Sequence, residues 1–353
     1  MNRKMIIRRL WWFSLLLAIT TTKVEAQVDE IRLKAATGQT SGRVVRGTIS
    51  SESTTDLRMT VNGKSENFKI EEIDEITYAG MPSAYLEAEA REKSGDYQAA
   101  LDGFKKAASS AGLRPLVAQL VKFRYAEALA LAASEEPDRS SDAITALREF
   151  VSQYPTSRNA PDAMERLLNI VRTGDDQSQI DSVIAELSKI PGAQIRASLL
   201  KADVLVERGE AEEAIKVLDS NKATISKNSE SDKIAQSIRI KALVANKKLP
   251  EAEKLAQTLI DESDPNDFAS LASAYNSLGD CLRAAGKPKD AMIAYLHTEI
   301  LYDRASSEHA RALAAITELW RVLEKPDRAE QTLSKLATSY PKSPWLKKVQ
   351  AKP

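Results

Sequence analysis

Residues 274–300 read AYNSLGDCLRAAGKPKDAMIAYLHTEI and carry small side chains where a helix would normally carry bulk. Gly279, Ala284, Gly286 and Ala291 lie between Tyr275, Leu278, Leu282 and Tyr295. Two antiparallel helices approach to about 8–10 Å only where small side chains occupy the crossing. The spacing therefore predicts a tight helical hairpin, with Gly279 facing Ala291 and the bulky residues filling the space on either side. A Gly-Lys-Pro turn separates its two arms. Proline is tolerated at a helix start and costs about 3 kcal/mol in a helix interior.

The same arrangement recurs along the chain. A small residue early in a second helix is followed four positions later by Leu or a ring in most copies. The landmarks are Ala100 with Phe104, Ala143 with Leu147, Ala214 with Leu218, Ala252 with Ala256, Ala291 with Tyr295 and Ala329 with Leu333. Their spacing is nearly constant except between Ala143 and Ala214, where the interval is close to two units. That wide interval predicts a degenerate copy between Ala160 and Lys189, with Gln179 in place of the alanine. About seven hairpins follow. Ala88 is expected to face Ala100 in the first. All 13 prolines fall at expected turns, helix starts or the chain end. Each hairpin leaves an apolar face that only a neighbouring unit covers, so the units must stack.

These residues resemble the tetratricopeptide repeat, a helix–turn–helix unit of about 34 residues with a small-residue code. Tyr275, Leu278, Gly279, Leu282, Gly286 and Ala291 match that pattern, as do Gly95, Tyr97, Ala100, Phe104 and Ala107. The resemblance covers roughly three quarters of the chain. It implies a mostly α fold, a right-handed α-solenoid over 81–345. The segments FVSQYPTSRNAPDAM and LATSYPKSPWLKK are similar to the tetratricopeptide proteins of bacterial cell envelopes. A terminal helix with Trp345 is expected to cover the last unit, leaving 346–353 as a cap or tail.

Before the array the period changes to two. VDEIRLKA, GRVVRGTIS, TDLRMTV, ENFKI and DEITYAG alternate apolar and polar residues, and Asn62-Gly63 signals a hairpin. Five short strands over 27–80 predict a small bent sheet or barrel, resembling the SH3-like or Sm-like modules. Glu66, Glu71, Glu72, Asp74 and Glu75 make its end acidic, which favours a packing or interaction module, or a cap on the array, over RNA binding.

The segment 1–26 has the layout of a secretory signal. Arg3, Lys4, Arg8 and Arg9 precede an apolar run, and Val24 and Ala26 suit cleavage after Ala26. The run is shorter than the roughly 20 residues of a membrane span. The expected location is outside the cytoplasm, in the periplasm or cell envelope. Removing that segment leaves 45 basic and 49 acidic side chains. Nothing in that balance points to nucleic acid or to an anionic membrane surface. Membrane contact is expected only if the N-terminal segment stays uncleaved.

Catalytic signatures are absent from the sequence. It contains no phosphate loop, no nucleophile elbow and no metalloprotease motif. Cys281 is the single cysteine and sits on an apolar helix face, as a small buried filler. His297 and His309 have no ligand-like neighbours in sequence and are expected in solvated or capping roles. No cofactor and no metal are expected. The first helix of each unit should line a concave face, with Arg196, Asp203, Lys241, Asn276, Asp280, Arg283, Arg311, Glu318 and Arg321 projecting from it. The reading that follows is a non-catalytic scaffold holding a protein or peptide segment. The alternatives are an envelope hydrolase with a site built from scattered residues, and an adaptor tethered by its N-terminus.

Overall fold

The computed structural model describes residues 28–35, 42–174, 176–227, 229–341 and 343–351. The signal-like segment lies outside the described residues. Among those described, five strands come first: β1 (Asp29–Leu33), β2 (Val44–Glu52), β3 (Asp56–Val61), β4 (Lys64–Lys69) and β5 (Ile73–Thr77). They form one antiparallel sheet in the order β4-β3-β2-β1-β5, consistent with the small-barrel resemblance. Asn62 and Gly63 take the positive φ values, 51° and 78°, that the expected hairpin turn demands. Gly47 has no alternative, because a Cβ there would lie 2.2 Å from the Thr60 carbonyl oxygen across the ladder.

Among the described residues, fourteen helices then form seven hairpins. They are α1 (Ser83–Lys93) with α2 (Tyr97–Ala108), α3 (Pro115–Glu135) with α4 (Ser140–Gln153), and α5 (Ala160–Val171) with α6 (Gln177–Ser188). There follow α7 (Gln194–Glu207) with α8 (Ala211–Asn221), and α9 (Glu230–Ala245) with α10 (Leu249–Glu262). The last pairs are α11 (Phe268–Ala284) with α12 (Pro288–Leu301), and α13 (Ser306–Val322) with α14 (Pro326–Ser339). A single helix, α15 (Pro344–Gln350), closes the array. The whole is a right-handed α-solenoid behind a small β module. The long step from Ala100 to Ala143 has a simple cause, the 21-residue α3, whose Gln119 also reaches Glu52 of the β module.

The landmark alanines are buried, with Ala100, Ala143, Ala214, Ala252 and Ala291 at most 2% exposed. Each is the fourth residue of its helix, and the same place in α6 belongs to Ile180, not to the neighbouring Gln179 expected from the sequence. Ile180 is 4% exposed, so the degenerate hairpin closes over a larger side chain. The crossings also differ in detail. A Cβ on Gly279 would lie 2.7 Å from the Tyr295 ring, so the missing side chain admits that ring. In the first hairpin Gly103 also stands at the crossing, because a Cβ there would lie 2.8 Å from that of Ala88.

Five of these hairpins turn through a left-handed residue, Gly95, Gly209, Lys247, Gly286 and Glu324. In each, the next amide closes the turn onto the carbonyl five positions back, as Lys287 N does on Leu282 O at 2.9 Å.

One hydrophobic core runs without interruption from Ile31 and Leu57 in the sheet through Phe104 and Leu147 to Val204 in α7. The β module is thus welded to the first hairpins. Two buried carboxylates fix it there. Asp29, 1% exposed, accepts from the amides of Ile49 and Ala79, each at 2.7 Å, and from Arg114. Glu52 accepts from Gln119 at 2.6 Å and from the Tyr78 hydroxyl, and lies 3.5 Å from Arg158. At the far end Lys347 of α15 donates to Ser134 O of α3 at 3.1 Å, so the terminal helix reaches back to the second hairpin.

Candidate functional site

The first helices of successive hairpins lie side by side and carry a ladder of ion pairs. Its rungs join positions about one repeat apart in sequence. Arg196 of α7 donates to Asp162 of α5 at 2.6 Å and also to Glu165. Asp203 accepts from Lys241 of α9 at 2.9 Å and from Arg172 at 3.2 Å. Asp280 of α11 takes Arg311 of α13, and Arg283 donates to Glu318 at 2.8 Å. Arg321 donates to Val349 O of α15 at 3.3 Å.

The pairing shows in the titration of these groups. Burial would raise Asp203, but Lys241 and Arg172 outweigh it and hold the carboxyl below its ordinary 3.8. Burial would lower Arg311, but Asp280 and Glu308 outweigh it and raise the guanidinium. Tyr295 is pushed up chiefly by burial and further by Asp280, to which its hydroxyl donates.

From the sequence these charges are expected to be open to a partner. The structure gives the eight ionic ones another repeat, or α15, to hold. Asn276 departs further, since it is fully buried. Its amide donates to Glu308 O at 2.9 Å and to the Glu308 carboxylate at 2.7 Å, tying α11 to α13. The cause is geometric. Asn276 stands on the α11 face that meets α13, and charges on adjacent parallel helices one repeat apart come within reach of each other before they reach solvent.

What stays open is apolar. A cavity of about 700 Å³ is lined by α7, α9 and α11. Leu199, Leu200, Ile234, Ile238 and Ala274 supply apolar walls, and Arg196, Lys233 and Lys241 stand at its edge. Ile234 is 42% exposed while Ile238, one turn on, is 4% exposed. Of the four carboxylates lining the cavity, Glu165, Asp203 and Glu308 each carry a cationic partner, and Glu230 stands at the start of α9. A second space holds Asp280, Arg283, Arg311 and Glu318 against Trp345, Lys348 and Val349 of α15. The terminal helix therefore closes one end of the concave face.

Sequence reasoning misses Ile234 and Lys233. Their signal is slight: in KIAQSIRI the apolar spacing extends one turn beyond the residues that a neighbouring helix covers. The histidines also divide. His309, expected in a solvated or capping role, is 5% exposed, and its Nδ1 lies 2.7 Å from the Tyr340 hydroxyl. His297 stacks on Tyr275 at 4.4 Å between ring centroids. Cys281 is buried at 1% exposure. Among the described residues no group of three metal-ligating side chains converges, and no helix is long and apolar enough to cross a membrane.

Comparison with known proteins agrees with this geometry. Residues 121–157 match the family model of the tetratricopeptide repeat. No curated protein matches the chain. A tetratricopeptide repeat protein of known structure from Parabacteroides merdae is 13% identical, covering 76% of this chain and 100% of its own, with a TM-score of 0.51. Pseudomonas aeruginosa PilF is 19% identical, covering 67% and 99%, with a TM-score of 0.39. PilW, a type IV pilus biogenesis factor, is 13% identical, covering 67% and 100%, with a TM-score of 0.41. The helical part of this chain is a solenoid of the tetratricopeptide-repeat type.

Proposed function

We propose that the chain is a non-catalytic scaffold of the bacterial cell envelope, holding a protein or peptide segment in the concave cavity bounded by α7, α9 and α11. One observation carries this reading. The cavity keeps exposed apolar wall, notably Ile234, while Arg196, Asp203, Lys233, Lys241 and Glu308 around it are each held in an ion pair. A site of that make-up takes an apolar side chain from an extended or helical segment and orients it by backbone and rim contacts. The exported setting is supported by the basic and apolar layout of the segment 1–26. The tetratricopeptide type of fold favours holding over catalysis.

The test is site-directed photocrosslinking in cells at Ile234 and, as a control, at Lys254 on α10. A discrete adduct at Ile234 that Leu200→Asp abolishes and the control lacks is the expected result. Equal labelling at both sites, or an adduct insensitive to Leu200→Asp, overturns the cavity as the binding site. Arg283 and Arg321 are poor positions for such a test, because Glu318 and Val349 O already engage them.

A further inference from the structure

The second helix of a hairpin in this array normally shows solvent a polar outer face. Helix α12 does not. Ala291, Met292, Ala294 and Tyr295 fill its inner side, yet Ile293, Ile300 and Leu301 are 56%, 66% and 56% exposed on the other. His297 lies between them, and Phe268 and Tyr302 extend the patch at its C-terminal end with rings 6.1 Å apart. Residues 293, 297, 300 and 301 follow the i, i+4, i+7, i+8 spacing of a single stripe. A helix that is apolar all round is one whose outer side is also covered.

We propose that this stripe is half of a two-fold interface, in which α12 packs antiparallel on the α12 of a second copy of the chain. Ile293 and Leu301 are symmetric about one residue, His297, while Ile300 flanks that axis and adds apolar area beside it. An antiparallel pairing centred on His297 sets Ile293 against Leu301 of the other copy. The same centre sets Asp290, just inside the helix start, against Arg304, just past its end, and brings Lys289 near Asp303. Opposite charges then frame an uncharged middle. Glu299, the one acidic residue within the stripe's length, turns to Lys335 of α14 at 2.6 Å. Like charges at the two ends would have forbidden the arrangement. A self-complementary patch of this kind is what an isologous contact requires. The concave cavity takes no part, so this interface stands or falls separately from the binding reading above.

The experiment is sedimentation velocity of the purified chain with two variants. Wild type should sediment as a dimer at micromolar concentration. Ile293→Glu with Ile300→Glu should weaken the dimer by more than about tenfold, a loss of roughly 1.4 kcal/mol, with helicity unchanged by circular dichroism. His297→Cys should form a disulfide-linked dimer under mild oxidant, since the native Cys281 is buried. If the glutamate variant loses helicity, the cysteine cross-link decides alone. A monomeric wild type would leave the stripe to another protein or a lipid surface and overturn the proposal. So would a dimer indifferent to both glutamates, or one in which His297→Cys fails to cross-link.

Discussion

Both Nη atoms of Arg114 reach Asp29 at 2.8 Å, joining the first residue of β1 to the residue that precedes α3 across 85 positions of sequence. Burial would raise the Asp29 carboxyl, but the Arg114 fork and the amides of Ala79 and Ile49 hold it below its ordinary 3.8. Removing the arginine leaves a buried charge with two amides and no cation. Arg114→Met should therefore destabilise the β module by about 3 kcal/mol, while Asp29→Asn with Arg114→Met loses less than Arg114→Met alone. Hydrogen exchange of the Ile31 and Ile49 amides reads this directly. Unchanged protection in Arg114→Met would show that the apolar core alone seats the module.

The ring of Tyr295 occupies the space that a side chain on Gly279 would need. Ala in place of Gly adds up to about 1 kcal/mol of helix propensity. Overpacking the crossing costs about 1–3 kcal/mol. Gly279→Ala should lower the thermal midpoint despite its better propensity, and Tyr295→Leu in the same chain should make the alanine neutral or favourable. If Gly279→Ala raises the midpoint in wild type, the gap is not a packing requirement.

Lys247 and Glu324 hold the left-handed turn position, with φ of 58° and 56°, where three other hairpins place glycine. The conformation strains a residue with a Cβ. Lys247→Gly should stabilise the array by about 0.5–1 kcal/mol in chemical denaturation, offset in part by a looser unfolded chain. The same change at Gly286 in reverse, Gly286→Lys, should cost a similar amount.

Burial raises the Cys281 thiol, Asp280 and Glu253 add to it, and the group is pushed up to about 12. A thiol in that state is a poor nucleophile at neutral pH. Alkylation in native buffer at about pH 8 should be undetectable on a timescale that labels the denatured chain fully. Rapid native labelling would show that α11 opens locally.

Acid acts on the ladder with a defined sign. Asp29, Asp203 and Asp267 all have folded values below the ordinary 3.8. The unfolded chain then binds protons more readily than the folded one. The stabilisation these groups give is complete above that value and is lost as pH falls through their folded range. Glu52 has the opposite sign, because burial raises it above 4.5 despite Tyr78, Arg158 and Gln119. Its contribution declines as pH rises above 4.5. Denaturation midpoints should fall steeply below about pH 4, and Lys241→Met should shrink the part of that fall due to Asp203. A midpoint flat down to about pH 3 would mean the ladder contributes little to folding.

The array was written in the chain itself. Its landmark alanines, the turn glycines and the prolines at helix starts are local signals, each tied to one crossing or one turn, so their spacing translated directly into hairpins. The hairpin at Asn62-Gly63 and the alternation of β1 to β5 were legible for the same reason. The degenerate α5–α6 pair was placed correctly by counting, though Ile180 rather than Gln179 fills its landmark position.

Where the charges went was settled by the stacking of the repeats. A polar residue on the concave face looks the same in sequence whether it meets solvent or the next repeat. Arg196, Asp203 and Arg311 find opposite charges about one repeat away because stacking sets parallel helices within side-chain reach, a distance no local pattern encodes. Asn276 was buried by the same stacking, whereas His309 packs on Tyr340 of its own hairpin. The open cavity between α7 and α9, and the uncovered stripe on α12, are likewise products of that process. They are among the apolar surfaces left exposed after every repeat has covered its neighbour.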